Sequence, residues 1–152
     1  MTRFSSDEPR ATNDEFMRYL AIDYGLKLTG LAICDQSEKF VSPHSVLPAS
    51  AELTDKIIKI VKDENVEAIV IGQPLNMDGS KGPQAKIVEE FSNRLKKMIS
   101  IPIYFQDERL SSFGAEDKLV ERNLTRKKKK KRLDALAAAE ILQAFLDSKH
   151  SI

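Results

Sequence analysis

The order of apolar segments along the chain is the feature that most restricts its fold. Three short runs with strand character come first, at residues 18–23 (RYLAID), 29–34 (TGLAIC) and 39–47 (KFVSPHSVL). Short turns join these runs, which is typical of neighbouring antiparallel strands. Pro43 lacks a backbone N–H and suits an edge strand, so the third run is expected at an edge of the sheet. The chain is therefore predicted to begin with an antiparallel meander.

Helices and strands alternate after this meander, as indicated by apolar periodicity and by turn residues between the runs. The predicted elements are a helix at 51–65, a strand at 66–72, a helix around 87–95, a strand at 101–105, a short helix at 111–123 and a closing helix at 132–148. The order βββαβαβα, with one small inserted helix, implies an α/β protein with a mixed five-stranded sheet flanked by helices. That is the order of the ribonuclease H-like fold.

Length and composition restrict the class of protein further. The 152 residues suit one domain, predicted at 17–148, after a polar extension at 1–16 that is predicted to be flexible. The single cysteine, Cys34, excludes an internal disulfide and is expected to be buried and inert. No apolar stretch reaches the ~18 residues needed to span a bilayer, and the N-terminus lacks the apolar segment of a signal peptide. We therefore predict a cytoplasmic protein without a membrane partner.

Three acids stand where predicted elements end or begin. Asp23 ends the first strand, Glu108 ends the fifth, and Asp134 begins the closing helix. Each has an ordinary explanation, since Asp23 could cap a turn and Asp134 could be a first-turn acid favoured by the helix dipole. Because strand side chains alternate, only one of Asp107 and Glu108 can face the same side as the other acids.

Carboxylates gathered at one end of a sheet suggest a metal site. They repel one another, and burial adds to the cost unless a cation neutralises them. Oxygen ligands suit Mg²⁺ or Mn²⁺, and two such ions can activate water and stabilise the leaving oxygen of a phosphodiester. Zinc is not expected, because His44 and His150 lie far from any partner spacing. Asp23, Asp134 and one of Asp107 and Glu108 are therefore candidate metal ligands at that end of the sheet.

A basic segment precedes the closing helix. It consists of Arg126, Lys127, Lys128, Lys129, Lys130, Lys131 and Arg132. Seven consecutive cations can form a solvated loop without a fixed structure, and the same loop can bind phosphates with a strong dependence on salt. Although the formal net charge of the chain is only +1, this segment predicts a nucleic-acid partner.

Further candidate contacts to nucleic acid lie in loops. In GQPLNMDGSKGP, Asn76, Ser80 and Lys81 precede a predicted helix N-terminus, where a phosphate could bind; a plain connecting loop is the alternative. Lys27 lies in the turn after the first strand. Arg109 could contact substrate phosphate or pair with Asp107, and the sequence does not decide between these roles.

Several stretches resemble one family in order and spacing. AIDYGLKLTGLAI, IVIGQPLNMDGSKGPQA, DERLSS and KKRLDALAAAEILQ are similar to the motifs of the YqgF family, also called RuvX. The resemblance implies a ribonuclease H-like fold related to the RuvC resolvases, metal-dependent nuclease activity and processing of the 5′ end of pre-16S rRNA. It implies that the catalytic metal ligands are Asp23, Glu108, the acid of the DER motif, and Asp134. Two positions depart from the pattern: Leu28 in KLTG, and Ala137, where RuvC-type resolvases carry a fourth acid.

The function predicted from the sequence is hydrolysis of phosphodiester bonds in structured RNA, with pre-16S rRNA as substrate. One alternative is a resolvase acting on four-way DNA junctions, and another is a nucleic-acid-binding module without catalysis. Either a monomer or a homodimer is compatible with the sequence.

Overall fold

The computed structural model describes residues 16–110 and 126–151. The predicted extension at 1–16, apart from Phe16, and the predicted helix at 111–123 lie outside the described residues. The elements are β1 (Tyr19–Asp23), β2 (Leu28–Cys34), β3 (Val41–Pro48), α1 (Leu53–Asp63), β4 (Ala68–Gln73), α2 (Pro83–Lys96), β5 (Ile103–Asp107), a 3-10 turn (Glu108–Leu110) and α3 (Arg126–His150). None of the described helices is long and apolar enough to span a bilayer.

The five strands form one mixed sheet in the order β3-β2-β1-β4-β5. β1, β2 and β3 pair antiparallel, whereas β4 pairs parallel to β1 and β5 pairs parallel to β4. The meander therefore occupies one half of the sheet, with β3 at the edge. This architecture confirms the predicted α/β class with a mixed five-stranded sheet, and the carboxyl ends of β1, β4 and β5 meet at one edge.

Alternating side chains build a core on each face of the sheet. On one face, Leu20 and Ile22 pack with buried residues of α1 and α2, including Ile57 and Phe91. On the other face, the small or aromatic residues of β1 and its neighbours pack against α3; the buried members are Met17, Tyr19, Ala21, Ala32, Cys34, Ala68, Val70, Ala138, Ile141, Leu142, Phe145 and Leu146. Because alternate residues of β1 share a face, Asp23 lies on the α3 side with Tyr19 and Ala21.

Several element boundaries differ from the sequence prediction, and two of the differences affect residues that were predicted to be functional. α3 begins at Arg126 instead of residue 132, so the basic segment predicted as a loop forms the first two turns of a 25-residue helix. Lysine and arginine are good helix formers, and the long helix that follows continues through them. β5 spans Ile103–Asp107 instead of 101–105, because Gln106 and Asp107 pair with Gly72 and Gln73 of β4.

A buried ion pair fixes the far end of α3. The carboxylate of Glu38, in the turn between β2 and β3, accepts hydrogen bonds from Lys149 Nζ at 2.6 Å and from the Met17 backbone N–H at 2.6 Å. His150 Nε2 lies 2.7 Å from its other oxygen. The Glu38 and Lys149 side chains are almost completely buried. The last turn of α3 is thus attached to the start of the described fold.

The single cysteine, Cys34, is buried, as predicted, and burial raises the pKa of its thiol to about 11.

Candidate active site

The last residue of β1, Asp23, is the centre of the candidate site. It pairs with Gly30 of β2. The register of β1 with β4, in which Ile22 lies opposite Ile71, places Gly72 on the other side of Asp23. Asp23 is therefore flanked by a glycine on each neighbouring strand. Because glycine has no side chain, each of them leaves room for part of one of the other two acidic residues.

Gly30 admits the backbone of α3. A Cβ atom built on Gly30 would lie 2.5 Å from the carbonyl carbon of Asp134 and closer still to its carbonyl oxygen. The helix thus contacts the sheet directly at Asp134, beside the strand position paired with Asp23. Asp134 lies eight residues after the start of α3 at Arg126, beyond the reach of a first-turn dipole effect. That alternative explanation for Asp134 is removed.

Gly72 admits the side chain of Glu108. A Cβ atom on Gly72 would lie 2.6 Å from Glu108 Oε2 and 2.5 Å from Ile141 Cδ1. Glu108 follows β5 directly and begins the 3-10 turn, so the end of the strand turns its carboxylate over β4 toward Asp23. Asp107 instead bonds to the Arg109 side chain. Of the two adjacent acids, Glu108 is the one that faces the candidate site.

Burial and mutual repulsion change the acidity of this group. Burial, followed by the negative charge of Asp134, raises the pKa of Asp23 from 3.8 to about 6. Burial, followed by the charges of Asp23 and Asp107, raises the pKa of Glu108 from 4.5 to about 7. Asp23 therefore interacts electrostatically with both other acids. Within residues 16–110 and 126–151, no three acidic, histidine or cysteine side chains stand close enough together to form a complete ligand set.

Arg109 joins the end of β5 to the loop between β4 and α2. Its Nε and Nη2 donate to Asp107 Oδ2 at 3.0 and 2.7 Å. Its Nη1 donates to the backbone carbonyl oxygens of Met77, at 2.9 Å, and Asn76, at 3.4 Å. The hydrogen bonds from Arg109 lower the pKa of Asp107. The structure thus includes the pairing with Asp107 that the sequence left open, and adds a contact to the loop that the sequence did not indicate.

The other predicted nucleic-acid contacts lie around this edge. Asn76 and Ser80 bond to each other within the loop, with Asn76 Nδ2 2.9 Å from Ser80 Oγ. Lys81 forms an ion pair with Glu89 of α2, and Lys27 is exposed in the turn between β1 and β2. The backbone of the basic segment forms the first two turns of α3, immediately before Asp134.

The fold defines the class of protein first. The chain is similar to RuvC of Thermus thermophilus, solved in complex with a Holliday junction substrate, with a TM-score of 0.54 at 12% identity, covering 88% of this chain and 95% of that one. At this identity the likeness concerns the fold alone, which is the ribonuclease H-like fold of the RuvC-type resolvases.

Sequence comparison then gives the family. Residues 17–148 match the RuvX family, described as Holliday junction resolvase. A relative from Roseiflexus sp. (strain RS-1), described as "Putative pre-16S rRNA nuclease", is 38% identical over 133 residues, which cover 86% of this chain and 94% of the relative. A relative from Syntrophomonas wolfei with the same description is 41% identical over the same length and the same shares. The chain belongs to the RuvX family, which confirms the resemblance carried by its motifs.

Three features of the site escaped the sequence analysis. Gly30 and Gly72 each lie inside a strand, and an isolated glycine in a strand is a signal of close approach by another part of the chain. That signal could have identified both positions. The contact of Arg109 with the carbonyl of Met77 joins two distant loops, and no local pattern in the sequence predicts it.

Proposed function

We propose that this chain is a divalent-metal-dependent nuclease that hydrolyses phosphodiester bonds of structured RNA, and that its substrate is the 5′ end of pre-16S rRNA in the cytoplasm. The names of the two relatives support this substrate, since both are described as "Putative pre-16S rRNA nuclease". The arrangement of acids at the carboxyl edge of the sheet supports the chemistry.

One observation carries the proposal: the half-buried carboxyls of Asp23 and Glu108 lie at one end of the sheet close to further negative charge, and the pKa of each is raised. Such an arrangement costs stability at neutral pH unless a cation neutralises it. Carboxylate oxygens are the donors that Mg²⁺ and Mn²⁺ prefer. Asp23, Glu108 and Asp134 would therefore be the ligands of either ion, and binding would have to bring their carboxylates closer together, since the described side chains do not form a complete ligand set.

The chain's own groups would divide the work at this edge. Asp23 lies between the other two acids and would be the shared ligand. When bound, the ion supplies Lewis-acid activation of a water and neutralises charge at the phosphate. The cations at the start of α3 would hold the RNA backbone, since lysine contacts to phosphate give affinity without reading sequence. Arg109 would position the loop and Asp107, because its guanidinium donates to both.

The test compares two nucleic acids in parallel. A 5′-extended 16S precursor fragment and a synthetic four-way DNA junction are incubated with Mg²⁺, Mn²⁺ or chelator and with wild type, Asp134→Asn or Asp147→Asn. Asp147 is the matched control, since it lies on the same helix, is exposed, and accepts a hydrogen bond from Gln143 on the helix surface. We expect metal-dependent cleavage of the RNA that Asp134→Asn abolishes and Asp147→Asn retains, with RNA binding kept in both variants.

Other results would contradict the proposal in distinct ways. Full cleavage by Asp134→Asn would remove the acid cluster from the mechanism. Symmetric nicking of the junction in preference to the RNA would make the chain a resolvase. Equal RNA binding in chelator and Mg²⁺ with no cleavage of either substrate would make it a binding module.

A further inference from the structure

Met77 is an apolar side chain in an unusual position. It is 89% exposed, more than any other large apolar side chain among the described residues. The Gly79 backbone N–H donates to the Asn76 carbonyl at 2.8 Å, so residues 76–79 form a four-residue turn with Met77 at its second position. Turn corners favour residues such as proline, asparagine and glycine, each for a conformational reason that methionine does not share. The turn itself therefore does not explain Met77.

The loop holds Met77 in a defined place. The Asn76 backbone N–H donates to the Ser80 carbonyl at 2.9 Å. The Ser80 backbone N–H and hydroxyl both donate to Asp78 Oδ1, at 2.9 and 2.6 Å. Gly79 takes a φ of +89°, which side-chain-bearing residues rarely adopt. The internal bonds of the loop thus present the methionine to solvent as part of an ordered structure.

The same loop is attached to the candidate active site. Arg109 Nη1 donates to the Met77 carbonyl at 2.9 Å while its Nη2 donates to Asp107 at 2.7 Å. Glu108 stands between Asp107 and Arg109 in the chain. The backbone of Met77 is therefore bonded directly to Arg109 and is linked through it to Asp107, the two residues on either side of a proposed metal ligand. Met77 follows β4 at the end of the sheet where the acids lie.

We propose that Met77 packs against the face of an RNA base at the end of a base-paired segment and ends the base stack there. This inference rests on the proposed nuclease function and names its substrate class: RNA with a boundary between paired and single-stranded segments beside the acids. A thioether side chain is unbranched and polarisable and makes favourable contacts with aromatic faces. Apolar side chains that insert at base steps act in this way, and every base offers the same kind of face.

The test measures binding with an Asp134→Asn background, so that no cleavage occurs. The probe is an RNA hairpin with a 5′ single-stranded extension, carrying 2-aminopurine as the first unpaired base; fluorescence of this base rises when it leaves the stack. An unstructured RNA with the sequence of the extension is the second ligand. Met77→Ala is compared with Met77→Leu and with Met98→Ala. Met98 is a suitable control because it is 48% exposed and lies between α2 and the start of β5, at the end of the sheet away from the acids.

We expect Met77→Ala to weaken hairpin binding by about two- to tenfold and to remove the fluorescence rise, with binding of the unstructured RNA unchanged. Met77→Leu should restore most of the hairpin binding and most of the fluorescence rise. Met98→Ala should behave like the Asp134→Asn protein that carries no second substitution, which is the parent of all these variants. Unchanged hairpin binding, an equal loss on both RNAs, or a parent that does not prefer the hairpin would each overturn the proposal. Because the readout is binding, a wild type that cleaves no RNA would end the nuclease proposal without deciding this one.

Discussion

Replacing Asp23 with asparagine should make the protein more stable at high pH when no divalent ion is present. The pKa of Asp23 rises from 3.8 to about 6 in the folded state. The folded chain therefore binds this proton more tightly than the unfolded chain does, so wild-type stability falls as pH rises between about 4 and about 6 and stays low above that. Each pH unit corresponds to about 1.4 kcal/mol, so the full cost of ionising Asp23 in the folded state is about 3 kcal/mol.

The useful quantity is how the difference between variant and wild type changes with pH. Asparagine cannot ionise, so the relative stability of Asp23→Asn should improve by about 2–3 kcal/mol from about pH 4 to about pH 8. Any fixed effect of the new amide cancels in this comparison. Glu108 adds to the change in the same direction, because the charge of Asp23 contributes to raising its pKa. For a chain of this size the change corresponds to roughly 5–10 °C in Tm.

The assay is urea unfolding followed by circular dichroism across that pH range in chelator. Asp63→Asn serves as the control, since Asp63 is exposed and pairs with Lys59 at 3.0 Å on the surface of α1; such pairs contribute about 0–1 kcal/mol. Adding Mg²⁺ should then favour the wild type, since a ligand that binds only the folded state stabilises it. A stability difference that is the same at every pH would refute the idea that Asp23 is half-buried beside other negative charge.

Three further perturbations test the rest of the site. Gly30→Ala should cost about 3 kcal/mol, the upper end of the range for overpacking, because its new methyl group meets the backbone of α3 at Asp134; a urea midpoint like that of wild type would contradict this close approach. In Gly72→Ala the nearest neighbours of the new methyl group are side chains, so the loss of folding stability should be only about 1–2 kcal/mol. Cleavage should nevertheless fall strongly, because the methyl group displaces Glu108. Retained cleavage would argue against the placement of Glu108 beside Gly72. Replacing 127–131 with glutamine keeps helix propensity and should weaken RNA binding. It should also flatten the salt dependence of binding by ~0.7–0.9 log units for each phosphate that the segment neutralises in the wild type, whereas an unchanged slope would exclude the segment.

Much of the fold could be predicted because its signals are local. Strand runs joined by short turns predicted the antiparallel half of the sheet, and the alternation of helix and strand predicted the parallel half. Alternation along β1 also places Asp23 on the same face as Tyr19 and Ala21, which pack against α3. The structure brings the three predicted acids to one edge of the sheet, while their role as metal ligands stays a prediction.

The start of α3 could not be predicted from local patterns. Seven like charges favour a solvated loop by repulsion, whereas the intrinsic preference of lysine and arginine favours a helix. These tendencies oppose each other within the same residues, and the helix that follows, packed on the sheet through Ile141 and Phe145, extends back through them. Local patterns also could not decide whether Asp107 or Glu108 faces the candidate site. That outcome depends on β5 ending at Asp107, two residues later than predicted, and on the hydrogen bond from Arg109 to Asp107.

The order in which the acids occur in the chain has a consequence for folding. Asp23 belongs to the first strand, Glu108 follows the last, and Asp134 comes from the final helix, whose far end is fixed by a pair separated by 111 residues, Glu38 and Lys149. Contacts between such distant residues form late, because the chain between them must first be ordered. We therefore expect a partly folded chain, even one with its whole sheet formed, to lack the third carboxylate. Cleavage would begin only once folding is complete, so immature chains would leave the surrounding RNA intact.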